Sequence, residues 1–156
     1  MTIRQQLDDD VKAALLAGDS LRVDTLRGLK SVILYADVAA KKRDSGGIPD
    51  NEILVLFGKE IKKRQESAEL YIKGNSQERA DKELAEKEII QSYLPAQISD
   101  DTLKKIVQEI TIEQQAEKIQ DMGRVIGAVK AKVGSTADGA KIAQFVKERL
   151  SAQWFC

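Results

Sequence analysis

Apolar positions recur at intervals of three and four along nearly the whole chain, the period of an amphipathic helix rather than the alternation of a strand. Ile3, Leu7, Val11, Ala14 and Leu15 form the first stripe, which begins near Thr2 and closes at Gly18, a residue suited to a left-handed C-terminal cap. Asp19 or Ser20 then caps a second helix whose inner face reads Leu21, Leu26, Leu29, Ile33 and Ala36 or Ala40. It runs to Lys41-Lys42-Arg43, cations that the helix dipole favours at a C-terminus, with a binding patch as the other reading. Asp44-Ser45-Gly46-Gly47 reads as a flexible loop, and Pro49 opens a third helix with Asp50 and Glu52 in its first turn. Ile53, Leu56, Phe57, Ile61, Ala68 and Tyr71 give that helix a core face. Its other face alternates Lys59, Lys62, Lys63 and Arg64 with Glu60, Glu66 and Glu69. This is the pattern of a solvated surface with i,i+4 pairs worth about 0.2 to 0.5 kcal/mol each. After the Gly74-Asn75 turn, Asn75 or Ser76 caps a fourth helix with Ala80, Leu84, Ile89, Ile90 and Tyr93 as core candidates.

Pro95 forces Leu94 towards extended geometry and breaks the pattern. Beyond it, Ser99-Asp100-Asp101 is a cap with acidic first-turn residues, leading into Leu103, Ile106, Val107 and Ile110. Three shorter helices are expected, over about residues 100 to 115, 121 to 132 and 138 to 150. In the last, Asp138 is the N-cap and Ile142, Phe145, Val146 and Leu150 face inward, after a connection of ordinary length for neighbouring helices. The expected fold is all-α: a four-helix N-terminal domain over 1–95, a three-helix tail module over 96–150, and an extension over 151–156 that carries the apolar Trp154 and Phe155.

Composition narrows the chemistry. Aromatic residues make up 4% of the chain, so the core must be aliphatic, which suits interlocking helices. Histidine is absent, which closes Ser-His-Asp and Cys-His nucleophile activation and His-ligated metal sites. Asp8-Asp9-Asp10 and Asp100-Asp101 are of a type to take a hard cation, but both read as acids at or near helix N-termini, so no metal and no cofactor is expected. The single cysteine, Cys156, can form no internal disulfide. The N-terminal residues lack the apolar run of a secretory signal, and no stretch approaches the roughly 18 apolar residues of a membrane span. The expected location is therefore cytoplasmic, without membrane contact.

The 25 basic and 25 acidic side chains cancel overall, yet residues 118–149 carry seven cations against three carboxylates. Within this window lies the least generic stretch of the chain, from Asp121 to Asp138. Met122, Val125, Ile126 and Val129 recur at helical spacing, while Gly123, Gly127 and Ala131 stand four apart and leave one side of the helix bare enough to admit another backbone. Met122, Gly123, Val125, Ile126 and Gly127 are accordingly expected to hold the tail together. A phosphate-binding glycine loop does not fit, because the glycines sit inside a helix with no strand before it. Arg124, Lys130 and Lys132, with Lys118 and Lys141 at the edge, are the candidate phosphate contacts, since Lys and Arg supply most non-specific affinity for nucleic acid; a solvated basic face is the other reading of the same residues. Exposed aromatic residues to stack unpaired bases are missing from the pattern.

Four blocks, read together, resemble the YqeY family, whose tail module is shared with the GatB component of the bacterial glutamyl/aspartyl-tRNA amidotransferase. They are Arg22 to Ser31, Lys59 to Arg64, Glu88 to Gln97, and Asp121 to Ala128 with Ala137 to Gly139. The resemblance runs in the family's order from about residue 3 to 150. It implies a helical N-terminal domain joined to a three-helix tail that engages tRNA or a protein of tRNA amidation or translation. It also implies a family-level description of glutamine-dependent carbon-nitrogen ligase, although the parts that carry amide transfer are absent from so short a chain. One departure stands out. Where the family places Lys-Gly-Lys/Arg after the glycine-bearing helix, this chain has Gly134-Ser135-Thr136, so two cations are missing from the turn. The expectation is a non-catalytic accessory protein that binds tRNA or an amidation partner. The alternative is a protein-interaction module docking through the third helix and Trp154-Phe155.

Overall fold

The computed structural model describes residues 1–152 and is all-helical there, with seven α-helices, three short 3₁₀ turns and no strand among the described residues. The chain divides into two compact units, Met1–Leu94 and a second that begins at Pro95.

In the first unit the elements are α1 (Ile3–Ala17), α2 (Ser20–Ala39), α3 (Asp50–Lys73) and α4 (Gln77–Gln91). Local chemistry sets their ends. Thr2 and Gln5 form a reciprocal capping box, with Gln5 N–H donating to Thr2 Oγ1 and Thr2 N–H to Gln5 Oε1. Gly18 closes α1 in the left-handed region at φ 68°, and the Asp19 carboxylate caps α2 by accepting from Arg22 N–H at 3.1 Å. Pro49 stands in extended geometry ahead of α3. Leu7, Leu26, Leu29, Ile33, Ile48, Ile53, Phe57, Ile89 and Ile90 build one core, and Tyr93 meets Phe57 edge-on with ring centroids 5.8 Å apart. The Tyr93 hydroxyl donates to Asp10, which lies in the middle of α1 rather than near its start. Burial and the Asp10 hydrogen bond both push the phenol's pKa upward.

Two polar features differ from the expected solvated surface. Glu60 is buried, at 8% exposure, and accepts from Lys63 at 3.3 Å and Arg64 at 2.6 Å, while Arg64 also lies 3.3 Å from Glu86 on α4. The alternation of charges along α3 therefore includes an ion network in its contact with α4, because α4 covers the flank on which Glu60 and Arg64 stand. The second feature is Asp37, buried at 5% exposure. It takes a two-pronged contact from the Arg4 guanidinium, 2.8 Å on each oxygen, and accepts the Ile48 N–H at 2.9 Å; Arg4 also donates to the Ile48 carbonyl at 3.1 Å. The Asp44–Gly47 loop is thus tied at its end to α1 and α2. Gly47, at φ 82°, leaves room for the clamp, since a Cβ there would fall against the Arg4 guanidinium and 2.8 Å from Asp37 Oδ1.

The second unit comprises α5 (Asp100–Glu113), α6 (Met122–Val133) and α7 (Gly139–Ala152). The Ser99 hydroxyl caps α5 by accepting from Thr102 N–H. Its core is aliphatic apart from Phe145: Leu103, Val107 and Ile110 from α5 meet Val125, Val129 and Val133 from α6 and Ile142, Val146 and Leu150 from α7. Trp154, Phe155 and Cys156, on which the docking and thiol expectations rested, lie outside the described residues.

Candidate nucleic-acid interface

The candidate cations surround α6, and the helix fixes what they can share. Met122, Val125, Ile126, Val129 and Val133 turn inward, as their spacing requires. Gly123, Gly127 and Ala131 are exposed, and a Cβ on either glycine would meet nothing within 4 Å among the described residues. Gly123 and Gly127 therefore take no part in packing the described tail, contrary to the expectation from their spacing. The apolar stripe, with Ala128 beside it, supplies the core contact with α5 and α7, and Gly123, Gly127 and Ala131 fall on the opposite side of the cylinder.

The cations do not form one cluster. At about 100° per residue, Arg124 and Lys132 share a flank, whereas Lys130 lies on the other side of the glycine strip. Lys132 reaches Glu109 on α5 at 3.7 Å. Lys130 instead lies over the start of α7, its Nζ 3.7 Å from where a Gly139 Cβ would stand, with no carboxylate within 4 Å among the described residues. Arg124 sits 3.5 Å from Asp121 and remains about half exposed. Asp121 in turn accepts the N–H groups of Lys118 and Glu117 at 3.2 and 3.1 Å, and these hold its carboxyl below the ordinary range. Lys141 pairs with Asp100 at 3.0 Å.

These pairings correct the charge picture. Glu109 and Asp100 stand outside the window of seven cations and three carboxylates, and both are brought to its lysines by the packing of α5. From Pro95 onward the chain holds nine cations and eight carboxylates, so the excess over the whole tail is one charge. Periodicity offered no signal for this, because it ranks neighbours along one helix and not across two.

The turn that lacks the family's cations has a structural role. Gly134 adopts φ 58° and ψ −130°, the Thr136 hydroxyl donates to the Val133 carbonyl, and the Thr136 carbonyl accepts Ile98 N–H at 2.9 Å. Gln97 Nε2 donates to the Ser135 carbonyl at 3.0 Å. The turn thereby fastens the segment ahead of α5 to the end of α6. Among the described residues there is no group of three or more His, Cys, Asp or Glu side chains placed to hold a metal ion, and no helix is long and apolar enough to cross a membrane.

Together these features define a class: an all-α protein with a helical N-terminal unit and a three-helix tail whose middle helix turns an exposed glycine strip outward between cations. The chain belongs to the Yqey-like protein family, which it matches over residues 4–150. It is 27% identical over 129 residues to the Kluyveromyces lactis protein named "Altered inheritance of mitochondria protein 41, mitochondrial", covering 81% of this chain and 68% of that protein. The protein of the same name from Lachancea thermotolerans is 35% identical over 88 residues, a match spanning 56% of this chain and 46% of the relative. Both names place the relatives in mitochondria, and the cytoplasmic expectation is corrected on that ground. The missing apolar run speaks to one route of sorting and does not choose among compartments.

Proposed function

We propose that this chain is a non-catalytic accessory protein whose tail unit binds tRNA along the exposed face of α6. The observation that carries the reading is the Gly123-Gly127-Ala131 strip, open to solvent and bordered by Arg124 on one side and Lys130 on the other. A glycine inside a helix costs about 1 kcal/mol relative to alanine. Among the described residues, the packing of the tail makes no use of the space these two leave. A sugar-phosphate backbone can approach such a strip closely while the bordering cations reach its phosphates, which would make binding strongly salt-dependent. Lys132, Lys141 and Lys118 extend the positive border, the first two after exchanging their carboxylate partners for phosphate. The family's ligase description is not carried over to this chain, and purified protein is expected to show no glutamine hydrolysis. The relatives' names make mitochondrial tRNA the first pool to try.

The test is a salt series with bulk tRNA, run on the wild type and on an Arg124→Glu, Lys132→Glu double variant. Losing two phosphate contacts should lower the slope of log affinity against log salt by about 1.4 to 1.8. Equal affinity and slope in the two proteins would remove the site assignment, and absence of binding at low salt would remove the RNA role.

A further inference from the structure

The N-terminal unit carries a second surface that the RNA reading leaves unused. Between the end of α2 and the start of α3 lies an open groove of about 490 Å³, lined by Ala36, Ala39, Ala40, Ile48, Val55 and Leu56, with Glu52 as its one acidic member. Its shape follows from the sequence: Ala36 and Ala39 on α2 and Ala40 just after it face the bulkier α3 side chains, and the clamp through Asp37 and Arg4 holds Ile48 beneath them. Val55 in the lining is 57% exposed, and Tyr35, one turn before Ala39 on α2, is 75% exposed. The border carries more cations than carboxylates, Asp44 and Glu52 being its exposed acids. Lys41, Lys42 and Arg43 follow directly from Ala40, all exposed and none within 4 Å of a carboxylate among the described residues. Lys59, one turn beyond Val55 on the same face of α3, is likewise unpaired there.

We infer that this groove receives an amphipathic helix of a partner protein that presents an apolar ridge between acidic side chains. An apolar groove accepts side chains spaced i, i+3, i+4 and i+7 on a helix, and four unpaired cations on its border select flanking Asp and Glu over Lys and Arg. An RNA strand would satisfy the cations and leave the aliphatic floor wet. The inference is independent of the RNA reading, because the groove and the α6 face belong to different units of the chain.

The test uses the full chain and a display library of single helices with apolar residues at those four spacings and Asp or Glu flanking them, beside a control library with Lys or Arg flanks. The strongest acidic binder is synthesised and titrated against wild type, Ala39→Arg, and a Lys41→Glu, Lys42→Glu, Arg43→Glu triple variant. Ala39 is exposed, so the arginine fills the groove without entering the core. Expected are loss of binding by about tenfold or more in Ala39→Arg, as for a central contact of an interface, a smaller loss in the triple variant, and unchanged tRNA binding in both. An empty acidic library, equal recovery from the basic library, or a binder indifferent to Ala39→Arg would overturn the proposal. So would a wild-type dimer that Ala39→Arg dissociates, because a second copy would then be the occupant.

Discussion

Replacing Asp37 by alanine should be the most damaging single change to a polar residue of the N-terminal unit, and its size can be built from the contacts it removes. The carboxylate accepts two hydrogen bonds from Arg4 and one from Ile48 N–H. Ile48 is buried at 4% exposure, so its N–H would be left without a partner, at about 1 to 3 kcal/mol. The Arg4 side chain is 33% exposed and can turn into water, so the ion pair adds about 1 kcal/mol, well below the value for a fully buried pair. A loss of about 3 kcal/mol is therefore expected for Asp37→Ala. Asp37→Asn keeps the shape and one acceptor oxygen and should lose about half as much.

The same contacts fix a pH dependence. The Arg4 hydrogen bond holds the Asp37 carboxyl below its ordinary range against the opposing effect of burial. A carboxylate whose folded pKa is depressed contributes fully above its unfolded pKa of about 3.9, and the contribution fades as pH falls through the folded value. The difference between wild type and Asp37→Ala should thus be constant from neutral pH down to about 5 and shrink below about 4. Urea unfolding followed through amide resonances of Ile33 and Phe57 reads the unit concerned and is not confused by the tail. A decrement under about 0.5 kcal/mol, or one that does not change on acidification, would refute the account of the clamp.

The other predictions use the same readout. Gly47→Ala should cost more than Gly46→Ala: both residues have positive φ, but only at Gly47 would the new Cβ strike Arg4 and Asp37, and equal losses would count against that crowding. Arg64→Met should destabilise by about 2 kcal/mol by leaving buried Glu60 to Lys63 alone, and a double-mutant cycle with Glu60→Gln should recover part of the loss. Gly127→Ala should stabilise the tail by about 0.5 to 1 kcal/mol, since the methyl meets open space, and a destabilised tail would contradict the exposed placement of the strip.

What the sequence made legible was local. Thr2, Gly18, Asp19, Pro49 and Ser99 mark helix ends because capping is decided by residues a few positions apart, and the aliphatic stripes identified most of both cores for the same reason, with Leu15 and Ala40 exposed instead. Glu60 and Asp37 were not legible. Each is a carboxylate on a helix whose partner, or whose covering helix, comes from another part of the chain, and no period along one helix distinguishes a buried acid from a solvated one. The charge window failed in the same way. Seven cations against three carboxylates along residues 118–149 becomes a much weaker excess once α5 brings Glu109 to Lys132 and Asp100 to Lys141.

The glycine strip of α6 shows where such reading changes meaning. Four-residue spacing of small side chains says that a backbone can come close, and within a single chain the economical expectation is another helix of the same tail. The fold withdraws that expectation by covering the opposite side of α6 with Leu103, Val107 and Ile142 and leaving both glycines in the open. The access that the spacing creates is then offered outward, next to Arg124 and Lys130. Alanine at Gly127 would strengthen the helix while narrowing that access, so stability and binding should move in opposite directions if the strip serves a ligand. If it serves none, stability alone should rise and tRNA affinity should stay where it was, which makes this one methyl group a test of the site apart from its charge.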